Sequence, residues 1–213
     1  MPVYAFVNSR GGVGKTTSSI NIATAFAREG NRTVLIDHDP RQGTASRWKR
    51  EADDIGNENE VPVIKVESGI TRVVNDLKQV YDVIVIDGPA YLDNSNTALI
   101  ASADVVVLPI QPSQTDLWAV KTALGWIEER QIITGGTPLA YFLLNRCHPD
   151  ERVNTAELEG LKEFGVPILK ARMVNRINYS RTLKEGTTVF SLPANDKARQ
   201  EIKAIYEELT WAP

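Results

Sequence analysis

Apolar residues fall in short blocks along this chain, separated by longer stretches in which they recur every three or four positions. Seven blocks, Val3–Val7, Thr33–Ile36, Val61–Val66, Val83–Ile86, Val105–Ile110, Leu139–Leu144 and Val166–Leu169, have the length and β-branched content of strands. Helical spacing runs through the amphipathic stretch Ser18 to Arg28, through Leu117, Val120, Leu124 and Ile127, and through Ala198, Ile202, Ile205 and Leu209. Asn195 is placed to cap the last of these helices. Strands alternating with helices from end to end predict an α/β fold, a doubly wound, mostly parallel sheet flanked by helices. The polar stretch Gly56 to Glu60 reads as a loop. With no internal repeat, low-complexity tract or linker, residues 1–213 are expected to form a single domain.

The break between the first strand and first helix reads Gly11-Gly12-Val13-Gly14-Lys15-Thr16-Thr17. Glycine-rich turns are common and a lone one is only a turn. Gly-Lys-Thr after a strand and before a helix is far more specific, because that context builds a phosphate cradle. Successive backbone N–H groups converge on an anion at a helix N-terminus, where the macrodipole favours negative charge. Lys15 can reach β- and γ-phosphates, and the Thr16 hydroxyl can ligate Mg2+. The expected ligand is a nucleoside triphosphate.

Two aspartate segments end strands on the side where such a sheet places its ligand. Val83-Ile84-Val85-Ile86-Asp87 delivers one carboxylate from an apolar strand, as a Walker B element does, and Asp87 is expected to hold the Mg2+ hydration shell. Gly88 follows, so no glutamate stands there to orient an attacking water. In Asp37-His38-Asp39-Pro40, Asp39 is the candidate for that task, and Asp37 is expected to support Lys15 or the metal's waters. The plainer alternative is that Asp39 merely caps a helix beginning near Gln42.

Composition narrows the setting. A hydrophobic share of 42% and a charged share of 24% suit a globular protein. Cys147 is the sole cysteine, so no internal disulfide forms, and beside His148 it reads as a partly buried thiol rather than a ligand; a reducing cytoplasm is the expected location. Met1 leads straight into a strand pattern, so no leader is expected, and no apolar run has the length of a membrane span.

The motifs together resemble the ParA/MinD family of deviant Walker A P-loop NTPases. Arg10 to Thr17 is similar to that family's phosphate loop. The run Asp37-His38-Asp39-Pro40-Arg41-Gln42 is similar to its switch I, Asp87-Gly88-Pro89 to its Walker B region, and Leu143-Leu144-Asn145-Arg146 to its adenine-reading turn. Pro109-Ile110-Gln111-Pro112-Ser113 with Asp116-Leu117-Trp118 resembles the segment after its central strand. The likeness spans nearly the whole chain, nearest the small ParF-like partition proteins and the McdA group that spaces carboxysomes. It implies an ATPase using ATP and Mg2+, with Gly11, Gly12, Val13, Gly14, Lys15, Thr16, Thr17, Asn145 and Arg146 at the nucleotide. It also implies an ATP-dependent homodimer, non-specific DNA binding, nucleoid association, and an adaptor of the ParB, ParG or McdB kind that stimulates hydrolysis. The family's signature lysine, which reaches across the dimer, is here Arg10; a guanidinium can still fork onto phosphate.

Charge distribution bears on the DNA expectation. The chain carries a net charge of −3, yet residues 170–184 hold Lys170, Arg172, Arg176, Arg181 and Lys184 and no acid, leaving −8 for the remainder. Scattered cations usually make a solvated face; this concentration reads instead as a phosphate-backbone footprint. A MinD-like membrane helix would need basic residues flanking large apolar ones at the C-terminal end. Residues 197–213 carry three glutamates and a core-spaced stripe, with Trp211 the one anchor-like residue, so no membrane attachment is expected. Nitrogenase-like reductases need paired cysteines. A small metabolic kinase or synthase would want a lid and an arginine-rich substrate pocket between the middle strands, and neither is visible.

Overall fold

The computed structural model describes residues 1–57, 61–91, 94–111, 114–148 and 155–210. Six of the seven predicted strands form: β1 (Val3–Phe6), β2 (Thr33–Asp37), β3 (Val63–Lys65), β4 (Val83–Asp87), β5 (Val105–Ile110) and β6 (Leu139–Leu144). They make one sheet in the order β3-β2-β4-β1-β5-β6, with every pair parallel. The helices are α1 (Lys15–Arg28), α2 (Thr44–Asp54), α3 (Ile70–Leu77), α4 (Asn94–Ser102), α5 (Gln114–Thr134), α6 (Thr155–Lys162), α7 (Ile177–Lys184) and α8 (Lys197–Thr210).

Strand alternation assigns the core to two faces. Ile36, Ile84, Ile86, Val106 and Leu108 join Val74, Leu99, Val120 and Ile127 on one side. Leu35, Val85 and Val107 join Ile20, Phe26, Ile202 and Ile205 on the other. The winding reverses at β1, and the register holds Phe6, Asp87 and Asp37 side by side at the carboxyl ends of β1, β4 and β2. Loops leaving those strands therefore share one edge, the crevice where such sheets bind ligands.

The first helix is not the amphipathic element its sequence suggests. From Ser18 to Phe26 every residue is buried, because α1 lies between the sheet and α8. Its polar side chains donate back along the helix, Ser18 Oγ to Gly14 O (2.7 Å), Thr24 Oγ1 to Ile20 O (2.9 Å) and Asn21 Nδ2 to Thr17 O (2.7 Å), while Asn21 Oδ1 accepts from Val189 N (3.0 Å).

The seventh predicted strand, Val166–Leu169, is reduced to an isolated bridge between Ile168 and Phe142. Phe142 N donates to Pro167 O and Leu169 N to Phe142 O (both 2.9 Å), but Pro167 has no N–H with which to extend a ladder. The chain continues irregularly along β6, with Met173 N donating to Leu144 O (2.9 Å) and Asn175 N to Cys147 O (2.9 Å). Cys147 is fully buried there rather than partly so. Asp196, not Asn195, caps α8, its Oδ1 accepting from Ala198 N at 2.8 Å. In the predicted loop 56–60, residues 58–60 lie outside the described residues, as do Pro112, Ser113 and Trp211.

Candidate functional site

At the end of β1 the chain is held from beneath by Asn8, which is fully buried. Its Nδ2 donates to Pro109 O on β5 (2.7 Å) and its Oδ1 accepts from Arg10 N (2.9 Å). Ser9 Oγ donates to Ala119 O (2.6 Å), tying the loop to α5. Gly14 stands as N-cap of α1 with φ 98° and supplies no capping side chain, so the first amides of α1 are left for an anion. A Cβ on Gly14 would lie 1.9 Å from Asn145 Nδ2, so this position admits only glycine.

Lys15 is buried (6% exposed), and its Nζ donates to Arg10 O at 3.0 Å. Burial draws its pKa down, while the carboxylates of Asp87 and Asp39 hold the ammonium charged. The Thr16 hydroxyl donates to Asp87 Oδ2 at 2.7 Å. Asp87 Oδ1 is buried and has no hydrogen-bond partner. Burial pushes the Asp87 carboxyl up to about 7, with neighbouring Asp37 adding to the rise and the Thr16 hydroxyl and Lys15 opposing it. A hydroxyl beside an unsatisfied buried carboxylate oxygen fits Mg2+, which takes few protein ligands and keeps several waters.

Gly88 explains the missing glutamate. A Cβ there would lie 2.6 Å from Phe6 O, the same carbonyl that accepts from Gly88 N at 3.0 Å. No side chain fits at the β1–β4 joint, so a water-orienting carboxylate has to come from elsewhere.

Both switch-segment aspartates are buried. Asp37 accepts from Asp39 N (3.2 Å) through Oδ1 and from Ser46 N in the first turn of α2 (2.8 Å) through Oδ2. Asp37 thus braces the start of α2 and, from the neighbouring strand, raises the Asp87 pKa. Asp39 Oδ1 accepts from Arg41 N and Gln42 N (3.0 Å each), so this carboxylate does cap a turn, while α2 itself starts two residues after Gln42, at Thr44. Capping fixes its direction without using Oδ2. Arg41 lies over the Tyr91 ring, 4.0 Å from the centroid, bridging this loop to the one after β4. Arg10 is exposed at the loop's tip.

Asn145 and Arg146 follow β6. Asn145 Nδ2 donates to Val13 O, its N to Ile110 O (2.8 Å), and Arg146 takes φ 53°. With Gly14 and Thr17 they line a cavity of about 170 Å3, whose opposite wall is the segment around Arg176.

The basic segment is less uniform in space than in sequence. Arg176 is tied to Glu201 of α8, with Nε and Nη2 each 2.7 Å from Oε1. Glu208 accepts from Lys170 N (2.8 Å) and Ala171 N (2.9 Å). Lys170, Arg181 and Lys184 are exposed and Arg172 is half-buried. Arg176, counted among the DNA-facing cations from sequence, is thus engaged in an ion pair with α8. Sequence reasoning missed Glu201, Glu208 and Asn8; the signals were two glutamates seven apart on one helix and a polar residue ending an apolar strand. On α8 the stripe Ala198, Ile202, Ile205 and Leu209 packs in the core, and no helix among the described residues is long and apolar enough to cross a membrane. Nor does any cluster of three or more His, Cys, Asp or Glu among them form a metal site.

Loop, buried lysine, paired hydroxyl and carboxylate, and base-side turn define a P-loop nucleotide-binding domain. The model of the CobQ/CobB/MinD/ParA nucleotide binding domain matches residues 4–189, and the chain belongs to that family. It is 34% identical over 214 residues to "Maintenance of carboxysome distribution protein A" of Halothiobacillus neapolitanus, covering 96% of this chain and 94% of the relative. A solved McdA–ATP complex from Cyanothece superposes with a TM-score of 0.77 at 15% identity, covering all of this chain and 98% of that one. The MinC:MinD cell division protein complex of Aquifex aeolicus gives 0.77 at 17%, covering all of this chain and 97% of that one. At such identities the likeness is one of fold. Members of this family are P-loop ATPases.

Proposed function

We propose that the chain is an ATP-driven, DNA-associated positioning ATPase that distributes a large cargo in the cytoplasm, over the nucleoid. The observation that carries this is the orphaned Asp87 Oδ1 between Thr16 and buried Lys15, in a chain aligned over almost its full length with a carboxysome distribution protein. Amides of residues 11–17 and Lys15 hold the phosphates, and Asn145 and Arg146 flank the base. Thr16 and Asp87 hold Mg2+, which when bound neutralises charge on the β- and γ-phosphates. Asp39, with Oδ1 fixed by backbone amides, uses its other oxygen to orient the water that attacks the γ-phosphorus, ADP leaving. Arg10 reaches the phosphates of a second copy, so that ATP drives a homodimer. Pairing doubles the exposed cations Lys170, Arg181 and Lys184, aided by Arg172, and that ties DNA-backbone affinity to ATP. An adaptor protein stimulates hydrolysis and release; the relatives' names point to a carboxysome or a plasmid as cargo.

The test is anisotropy of a labelled duplex of arbitrary sequence with Mg-ATP or Mg-ADP at several salt concentrations. Retention is expected with ATP alone. Arg181→Glu with Lys184→Glu should weaken it on the order of tenfold or more on every sequence and flatten the salt dependence, with ATP binding intact. Equal affinity with ADP and ATP, or an unaltered double variant, would refute the DNA reading. Arg10→Ala should lose ATP-dependent pairing more than nucleotide affinity.

A further inference from the structure

The wall opposite Gly14 in the 170 Å3 cavity is formed by Val174, Arg176 and Tyr179. Val174 and Arg176 lie outside the named strands and helices and Tyr179 in the first turn of α7, so this wall needs something to fix it. One carboxylate holds all three. Glu201 Oε1 accepts from Arg176 Nε at 2.7 Å, while Oε2 accepts from Val174 N at 3.1 Å and from the Tyr179 hydroxyl at 2.8 Å. Its side chain is 15% exposed, and it does not line the cavity itself.

Its support is rigid. Glu201 sits on α8, whose Ala198, Ile202 and Ile205 are buried in the core that also takes in α1. The same α1 begins at Lys15, in the phosphate loop. Thus α8 links loop to wall: Glu201 is joined there by Asp196, whose Oδ2 accepts from Asn178 Nδ2 (2.7 Å), and by Ala198 O, which accepts from the Tyr179 hydroxyl (3.3 Å). Backbone bonds at Met173 and Asn175 secure only the start of the segment. Beyond Val174, the wall depends on the first turn of α7 and on these contacts, of which Glu201 is the one that reaches both Arg176 and Tyr179.

We propose that Glu201 is a positioning residue of the nucleotide site, fixing the wall against which the nucleoside half of the ligand rests. This rests on the P-loop reading above. Hydrogen bonds to a charged group contribute enough that removing three at once should be felt in affinity. The effect should be selective. The nucleoside half of the ligand loses its wall, whereas the triphosphate half still meets the Gly11–Thr17 amides and Lys15, which Glu201 does not touch. Because α7 starts at Ile177 and carries Tyr179 of the wall, the same anchor also sets where Arg181 and Lys184 stand relative to the bound nucleotide.

The experiment compares Mg-ATP with Mg-tripolyphosphate as calorimetric probes on the full chain. Glu201→Ala should lower ATP affinity about tenfold and tripolyphosphate affinity less than about twofold. Glu201→Gln, which keeps an acceptor for Val174 N and Tyr179 but loses the charge pairing with Arg176, should fall between the wild type and Glu201→Ala. Tyr179→Phe should lie near it. An unchanged ratio of the two affinities in Glu201→Ala, whether both hold or both fall together, would overturn the inference. If Glu201→Ala does not fold, the ratio in Glu201→Gln decides in the same way. A wild-type chain that binds neither probe would overturn the P-loop reading itself, which separates the two failures.

Discussion

The Thr16 hydroxyl donates to Asp87 Oδ2 at 2.7 Å, joining the phosphate loop to the end of β4 and leaving Asp87 Oδ1 buried without a partner. Two elements 71 residues apart thus meet around an unsatisfied carboxylate. Asp87→Asn keeps an acceptor for Thr16 and removes the charge. It should lower Mg-ATP affinity at least about tenfold, the order of one charge-assisted contact, while leaving nucleotide affinity in chelator unchanged. Fluorescent-nucleotide titration with Mg2+ and with EDTA checks this; equal losses in both would assign Asp87 a structural role only.

Gly88 is required by packing. Gly88→Ala forces a Cβ against Phe6 O, and the β1–β4 joint must open. A loss of about 1–3 kcal/mol is expected from overpacking of this kind, read as a lower urea midpoint. Gly88→Glu should destabilise further and give no gain in hydrolysis, although it restores the acid that other P-loop ATPases carry there.

Asp39 carries two jobs that substitution can separate. Asp39→Asn preserves the oxygen that caps Arg41 N and Gln42 N and removes the negative charge. It should keep the stability of the wild type and lose most phosphate release, with ATP binding intact. Asp39→Ala should lose hydrolysis and also about 1 kcal/mol of stability, the usual scale of a lost cap. Wild-type turnover by Asp39→Asn would assign the water to another group.

At the opposite edge of the sheet, Arg32 and Asp82 join the starts of β2 and β4. Arg32 N and Nε donate to Asp82 Oδ2 (2.9 Å each), and Nη2 donates to Oδ1 (2.6 Å). The guanidinium bonds first, then the backbone amide, hold the Asp82 carboxyl down to about 2. A depressed carboxyl stabilises the fold above the ordinary carboxylate pKa, near 4, and that share is lost as pH falls through about 2. Urea midpoints of wild type and Asp82→Asn should therefore differ most above about pH 4 and converge towards about pH 2. A gap independent of pH would mean the pair acts through packing.

Much of this architecture was legible in the residues. Runs such as Val83–Ile86 are apolar at every position because both faces of the sheet are covered, and Gly-Lys-Thr after Val3–Val7 names its ligand by chemistry that few other contexts need. What the sequence hides is what depends on contacts distant along the chain. Ser18 to Phe26 reads as amphipathic because small polar residues look solvated, whereas the sheet and α8 cover them and hydrogen bonds to nearby carbonyls and to Val189 N satisfy them. Residues 170–184 read as acid-free because Glu201 and Glu208 arrive from α8. The hold of Asp37 on Ser46 N, nine positions on, is likewise invisible until the chain is folded. The reason for Gly88 lies at Phe6, 82 positions away.

The most direct measurement is the mass in solution, by light scattering, of the wild-type chain and of Lys15→Ala, each with Mg-ATP and with Mg-ADP. Wild type is expected at about twice 23.6 kDa with ATP and near 23.6 kDa with ADP, and Lys15→Ala, folded by circular dichroism, at the lower mass with both. A wild-type chain that keeps one mass with either nucleotide, or a Lys15→Ala variant that still doubles with ATP, would contradict the nucleotide-driven pairing on which the proposed function rests.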